Sequence, residues 1–342
     1  MPRALALDIG GSKLAAAVVE LPGPVVTHAR SVPTPAAQGG AAVLAAASDL
    51  ARQVLASAVG EGVAVEVLGV SSAGTVHPVE GRITHATDTL PGWAGTPLRD
   101  HLQHELGLPV TVLNDVHAHG VGEAVHGVGR GHRRVLAVAV GTGVGGGLVV
   151  DGEPVVGARG VAGHVGHLPV PEAVGMPCTC GREGHLEGFA SGSGLRAVFR
   201  TRTGQDLTAR QIAGLASADD PGGLHDAARA LLAEAGRATG RAVGALLNVL
   251  DPDVVVVGGG LARAPRPWPS SLAEGIRLEA MDPVAATPVL VSGAGAEAAL
   301  WGAAHVALRR ATPPHAAPAD SLAPPDAYDP TVPPVRAEED PR

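Results

Sequence analysis

An apolar strand that runs into a glycine turn and emerges as a second apolar strand occurs twice in this chain, and no other feature limits its fold as strongly. The first copy is Ala4-Leu5-Ala6-Leu7, then Asp8 and the turn Gly10-Gly11, then Leu14 to Val19. The second is Val135 to Val140, the turn Gly141-Thr142-Gly143-Val144-Gly145-Gly146-Gly147, and Leu148-Val149-Val150. A shared plan in diverged sequence predicts two related lobes. After the first copy the pattern predicts a helix from Gly40 to Val59, a strand from Val65 to Ser71 that turns at Ala73-Gly74, a short helix from Arg99 to Leu106, and a buried strand from Val110 to Leu113 that ends at Asn114-Asp115. After the second copy it predicts a long helix from Leu224 to Leu250, closed by Asp251-Pro252. The run Val254 to Val257 then delivers Gly258-Gly259-Gly260 to a turn, and a last helix covers Ala296 to Arg310. Strands alternating with helices argue for an α/β fold, in which ligands gather where strands end.

The lobe limits read as 1–116 for a small N-terminal lobe, with a helix at 297–310 returning to it, and 117–296 for a large lobe. Residues 311–342 hold nine prolines, and six acids against two arginines, so they are expected to form a disordered tail. That tail carries −4 of the net −8 (25 basic against 33 acidic residues over the whole chain), so the body is close to neutral and offers no electrostatic platform for nucleic acid. The uncharged stretches Ser31 to Ser48 and Val135 to Val150 are broken by Pro or Gly, so no membrane span is expected. The two cysteines, Cys178 and Cys180, stand one residue apart, a spacing that suits metal ligation in a reducing compartment better than a disulfide. With a start that lacks the apolar stretch of a signal peptide, this predicts a cytoplasmic protein.

Three glycine turns each follow an apolar strand: Asp8-Ile9-Gly10-Gly11-Ser12-Lys13, the run at 141–147, and Gly258-Gly259-Gly260. One such turn alone reads as a tight hairpin. Three together, with Asp8 at the first and Thr142 at the second, point to backbone N–H groups cradling nucleotide phosphates. Neither the P-loop nor the dinucleotide pattern is present.

These residues, with Asn114-Asp115 and the segment Gly157 to His167, resemble the ROK family of sugar kinases and sugar-responsive repressors over residues 4–310. The resemblance implies an actin-like ATPase (ribonuclease H-like) fold of two lobes, as in hexokinases, with ATP as phosphoryl donor, a hexose as acceptor and a homodimer as the assembly. Because seven residues precede Asp8, the DNA-binding branch with its leading winged helix is not expected. It implies that Asp115 is the catalytic base, that Asp8 positions Mg²⁺ or its water, and that Gly10, Gly11, Ser12, Lys13, Gly141, Thr142 and Gly143 hold phosphates. Gly258, Gly259 and Gly260 would border adenosine. On the sugar side it implies Gly74, Asn114, Asp115, His164, His167 and Glu187, with Leu90-Pro91-Gly92-Trp93 as a further sugar-side loop and Thr89 where many members have Asn. Without the resemblance, Asn114-Asp115 also fits an Asx turn or helix N-cap, and Glu187 a charge at a helix start.

His167, Cys178, Cys180 and His185 look like the family's zinc signature, with His185 where a third cysteine is usual; a closed tetrahedral Cys2His2 structural site is expected. His164 stands where glucokinases of the family carry Glu. Neutral imidazole offers one donor and one acceptor against the several acceptor sites of a carboxylate, so sugar recognition should differ. The Gly163-His164-Val165-Gly166-His167 pattern resembles bacterial N-acetylmannosamine kinases, which ranks N-acetylmannosamine first and glucose a close second, a glucokinase or broad-specificity hexokinase being the alternative. Polyphosphate as donor ranks lower for want of a basic track. A non-catalytic sugar sensor is the rival of another class. The long helix at 224–250 reads as core packing, and Trp268, between prolines, as a residue of an exposed loop without a role.

Overall fold

The computed structural model describes residues 1–87, 89–217, 223–295 and 297–311. The tail expected at 311–342 lies, but for Ala311, outside the described residues. The first sheet is built from β1 (Arg3–Ile9), β2 (Lys13–Glu20) and β3 (Val25–Pro33); after α1 (Gly40–Gly60) come β4 (Val67–Ser72), a small hairpin β5 (Thr75–Val76) and β6 (Ile83–His85), α2 (Leu98–Leu106), β7 (Val110–Asn114) and α3 (Asp115–Val125). The second half follows as β8 (Arg134–Val140), β9 (Val144–Val150), β10 (Glu153–Pro154), α4 (Leu186–Ala190), α5 (Gly192–Thr203), α6 (Ala209–Ser217), α7 (Gly223–Leu250), β11 (Val254–Gly258), α8 (Trp268–Glu279), β12 (Val289–Val291) and α9 (Glu297–Ala311).

Both large sheets have the same plan. The first runs β3-β2-β1-β4-β7, with the first three antiparallel and β1, β4 and β7 parallel; the second runs β10-β9-β8-β11-β12, again antiparallel on one side of β8 and parallel on the other. The duplicated strand–turn–strand units of the sequence are β1–β2 and β8–β9, and each places its glycine turn at the same edge of its sheet. Strand β3 is exposed at nearly every position, which is why its sequence carries no buried stripe. Helix α1 is long and apolar enough to cross a membrane, with a mean hydropathy of 1.3. Here it spends its apolar face otherwise: Val43, Ala47, Leu50, Ala51 and Val54 pack with Leu5, Leu7 and Leu68 of the first sheet.

Helices α3 and α9 pack against each other and each covers one sheet. Leu300, Ala304 and Ala307 of α9 meet Ala4, Ala6 and Val67, while Ala118, Val121 and Ala124 of α3 meet Val135, Val149, Val254 and Val256. The crossing depends on missing side chains: a Cβ on Gly302 would lie 1.8 Å from the Ala118 carbonyl oxygen, and one on Gly122 would lie 1.9 Å from that of Ala298. Backbone cannot yield as a flexible side chain can, so Gly302→Ala must separate the helices. We expect a loss of about 2–3 kcal/mol in urea unfolding, at the upper end for overpacked cores. Unchanged stability would show that the helices slide freely.

Trp268 corrects the sequence reading. It opens α8 rather than lying in an exposed loop, and it is 2% exposed against α7, where its backbone carbonyl lies 2.4 Å from the place a Gly236 Cβ would take. The pair of helices needs a large apolar residue where they diverge, and the flanking prolines, which suggested a loop, form the helix start instead.

Candidate active site

The parallel strands β1, β4 and β7 deliver four polar side chains to one edge. Asp8 is in register with Ser71, and Ser72 with Asn114. The Ser71 hydroxyl donates to Asp8 Oδ1 at 2.6 Å. Asn114 caps α3: its Oδ1 accepts the Val116 N–H at 3.2 Å, while its Nδ2 donates to the Gly74 carbonyl at 2.8 Å and to Asp115 Oδ1 at 3.0 Å. The Val116 N–H also donates to Asp115 Oδ1, at 2.9 Å. The cap reading and the site reading therefore hold together, because the cap is what fixes Asp115 in the first turn of α3. Burial, reinforced by the negative charge of Asp8, pushes the Asp115 carboxyl up to about 6, against the bonds from Val116 and Asn114 that lower it. Burial likewise raises Asp8, offset in part by Ser71 and Lys13. A carboxylate held near neutrality is suited to take a proton and release it again.

The first turn is closed by the Gly10 N–H donating to the Lys13 carbonyl at 3.0 Å, and the Thr34 hydroxyl donates to the Gly10 carbonyl at 2.7 Å. Thr89 lies beside it, its Cβ 3.7 Å from where a Gly11 Cβ would sit. Trp93, fully buried, donates from Nε1 to Ser72 Oγ and to the Ala73 carbonyl, both at 3.2 Å, so the loop at 90–93 is anchored to the end of β4.

In the second half, a cavity of about 840 Å³ opens between the β8–β9 turn, the start of α5 and the turn after β11. Gly141, Thr142 and Gly260 line it, whereas Gly143, Gly258 and Gly259 do not. Gly259 instead shapes the turn: its φ is +85° and a Cβ there would lie 2.3 Å from the Val140 carbonyl oxygen, so only glycine fits. The sequence reading missed the other walls, among them Ser193, Arg196, Arg200, Arg210 and Arg263. Ser193 bonds the second turn to α5, its hydroxyl donating to the Thr142 carbonyl at 2.8 Å. The signal was the cap Ser191-Gly192-Ser193-Gly194, in which the Ser191 hydroxyl accepts the Gly194 N–H at 2.9 Å. Arg196 is committed to Asp206 through two bonds of 2.6 and 2.7 Å.

His164, His167 and the cysteines lie on the segment between β10 and α4, and Glu187 follows in the first turn of α4. His164 precedes a 3-10 turn at Val165–His167, and its Nδ1 is buried with no hydrogen-bond partner among the described residues. His117, which sequence reasoning did not assign, is 1% exposed on α3, two residues after Asp115. Its Nε2 donates to the Ala162 carbonyl at 2.7 Å, tying the His164 loop to that helix, and its ring centroid is 6.0 Å from that of His164. Burial lowers the affinity of both imidazoles for a proton, and His117 and His167 lower it further at His164. Glu187, in the first turn of α4, accepts the Val144 N–H at 2.9 Å and the Thr179 hydroxyl.

The four expected metal ligands converge. Cys178 Sγ lies 3.5 Å from His167 Nδ1, Cys180 Sγ 3.3 Å from His185 Nδ1, and all four donor atoms fall within 4.8 Å of one another. Bonds of about 2.3 Å to sulfur and about 2.0 Å to nitrogen, arranged tetrahedrally, would set donors about 3.3–3.8 Å apart, so the set fits zinc. The hard, partly desolvated oxygens of Asp8 suit Mg²⁺ instead.

A family model described as "ROK family" matches residues 4–310. A glucokinase of Halalkalibacterium halodurans is 32% identical over 272 residues, 75% of this chain and 80% of that one. An N-acetylmannosamine kinase of Yersinia pseudotuberculosis is 34% identical over 272 residues, 77% of this chain and 85% of that one. Among solved structures, a ROK family glucokinase from Streptomyces griseus in complex with glucose and AMPPNP superposes with a TM-score of 0.73 at 28% identity, covering 90% of this chain and 99% of that one.

Proposed function

The chain belongs to the ROK family, and on that premise we propose that it is an ATP-dependent sugar kinase that transfers the γ-phosphoryl group to the 6-hydroxyl of a hexose. Its duplicated sheets are those of the actin-like ATPase fold found in ROK hexokinases and glucokinases. The observation that carries the proposal is the capped, buried Asp115 at the ends of parallel strands, its carboxyl raised to about 6, with the β1–β2 turn beside it. Asp115 accepts the proton of the sugar 6-hydroxyl as its oxygen bonds to the γ-phosphorus, and the bond from that phosphorus to the ADP oxygen breaks. Asn114 holds Asp115 and reaches Gly74, while the turns at 10–13 and 141–143 hold phosphate oxygens through backbone N–H groups. The cavity between α5, α6 and Gly260 takes the nucleoside. Asp8 would hold Mg²⁺ or its water, and the ion, when bound, neutralises phosphate charge. Zinc on His167, Cys178, Cys180 and His185 would be structural, ordering the loop that carries His164. Most of the acceleration is expected from positioning and charge neutralisation.

On the acceptor, relatives named glucokinase and N-acetylmannosamine kinase are similarly identical to this chain, so glucose is supported at least as well as N-acetylmannosamine. His164, with its unpartnered Nδ1, is the residue on which the choice turns. ADP release with Mg-ATP over N-acetylmannosamine, glucose, mannose, N-acetylglucosamine and fructose tests the proposal, each sugar compared by kcat/KM. One sugar turned over well supports it; sugar binding without turnover of any would make the chain a sensor. Replacing His164 by Glu is expected to raise the glucose to N-acetylmannosamine ratio of kcat/KM about tenfold, through the extra acceptor sites of a carboxylate. An unmoved ratio would remove His164 from sugar recognition.

A further inference from the structure

Thr179 stands between the two cysteines of the metal cluster, and its hydroxyl donates to Glu187 Oε1. The other oxygen of that carboxylate accepts the Val144 N–H at 2.9 Å. Val144 is the first residue after the turn Gly141-Thr142-Gly143, and a Cβ on Gly143 would lie 2.6 Å from Glu187 Oε2. Three segments thus meet on one carboxylate: the metal turn, the first turn of α4 eight residues on, and the phosphate turn 43 residues before it. An ionised carboxylate has about four acceptor sites, so the two bonds leave about two for hydroxyls of a ligand.

We propose that Thr179 is a positioning residue, whose hydroxyl fixes the Glu187 carboxylate for the acceptor sugar and fastens the metal turn to the phosphate turn. The proposal rests on the reading of Glu187 as a sugar ligand. A glutamate side chain left free must be ordered when the sugar arrives, at a cost in rotamer entropy; one already held by a donor at each oxygen is not. The role belongs to Thr179 by place and chemistry. Its neighbours on both sides are the cluster cysteines, and it alone of the three carries a strong donor without being a metal ligand. Substitution by valine keeps the shape and removes the donor, whereas serine keeps the donor.

The test is calorimetric binding of glucose and of N-acetylmannosamine to the zinc-loaded full chain, with metal content measured on each sample. Thr179→Val is expected to weaken binding of the better sugar about fivefold, as befits a partly solvated bond to a charged group. Zinc per chain should equal that of the parent, and Thr179→Ser should restore binding to within about twofold. Unchanged sugar affinity in Thr179→Val, a serine variant as weak as the valine one, or loss of zinc from the valine variant would each overturn the proposal. The last would place the hydroxyl's effect in the cluster itself. Failure of the parent chain to bind any hexose would instead overturn the kinase reading on which this proposal stands.

Discussion

Asp115→Asn is expected to lower kcat about 10³-fold while leaving sugar affinity within about twofold, because it removes a proton acceptor and little else. The isosteric amide still fits the first turn of α3, where the Val116 N–H and Asn114 Nδ2 now meet Oδ1. Turnover by single-substrate kinetics and sugar binding by calorimetry separate the two effects, and a retained kcat would show that another group takes the proton. The parent chain should also show an acid limb in kcat/KM. The Asp115 carboxyl is raised to about 6, so it is ionised above that pH and protonated below it; only the ionised form accepts a proton. Activity should therefore rise with pH through about 6 and then level. Part of that elevation comes from the charge of Asp8, so Asp8→Asn should carry the limb of the residual activity to lower pH. A limb that stays in place would mean that a different group titrates.

Much of this site was legible because its chemistry is carried by short segments at strand ends. Asp8, Asn114 and Asp115 each follow an apolar run that reads as a buried strand, and the repeat of strand and glycine turn placed two of the three glycine turns in equivalent positions of two like sheets. What escaped notice lacks such punctuation. Strand β3 is an edge, solvated on nearly every residue, and so has no apolar alternation to find. His117 looks in sequence like any helical residue, and only the fold brings Ala162 onto its Nε2. The arginines of the cavity proposed for the nucleoside come from α5, α6 and the turn after β11, segments whose meeting is a property of tertiary packing. Trp268 shows the opposite error, in which local proline content outweighed the need of two packed helices for an apolar residue.

Removing the zinc proposed for the Cys/His cluster should divide the active site into an affected half and a spared half. Between Leu168 and Leu186 the chain makes little regular structure: the isolated bridges are Pro169 to His185 and Pro177 to Glu183, with a 3-10 turn at Pro171–Ala173 between them. Besides the Thr179–Glu187 bond and backbone bonds such as the Cys178 N–H to the Arg182 carbonyl at 2.7 Å, the turn is held by contacts among two thiols and two imidazoles, such as Cys178 Sγ to His167 Nδ1. Without a metal their mutual packing has little apolar surface to replace it, since Cys180 is exposed. Purified without chelator, the chain is expected to carry about one zinc. Cys178→Ser, or exhaustive chelation, should weaken sugar binding by about 10–100-fold, the range found when the surroundings of a metal site are disturbed. Binding of an ATP analogue should change by less than about threefold, because the cavity proposed for the nucleoside takes most of its walls from α5, α6 and the turn after β11, and the metal turn meets its β8–β9 wall through Glu187. Equal weakening of both ligands would mean that the cluster supports the whole second half of the molecule. A zinc-free chain that binds sugar as tightly as the parent would show that the loop bearing His164 is held by His117 and Ala162 alone.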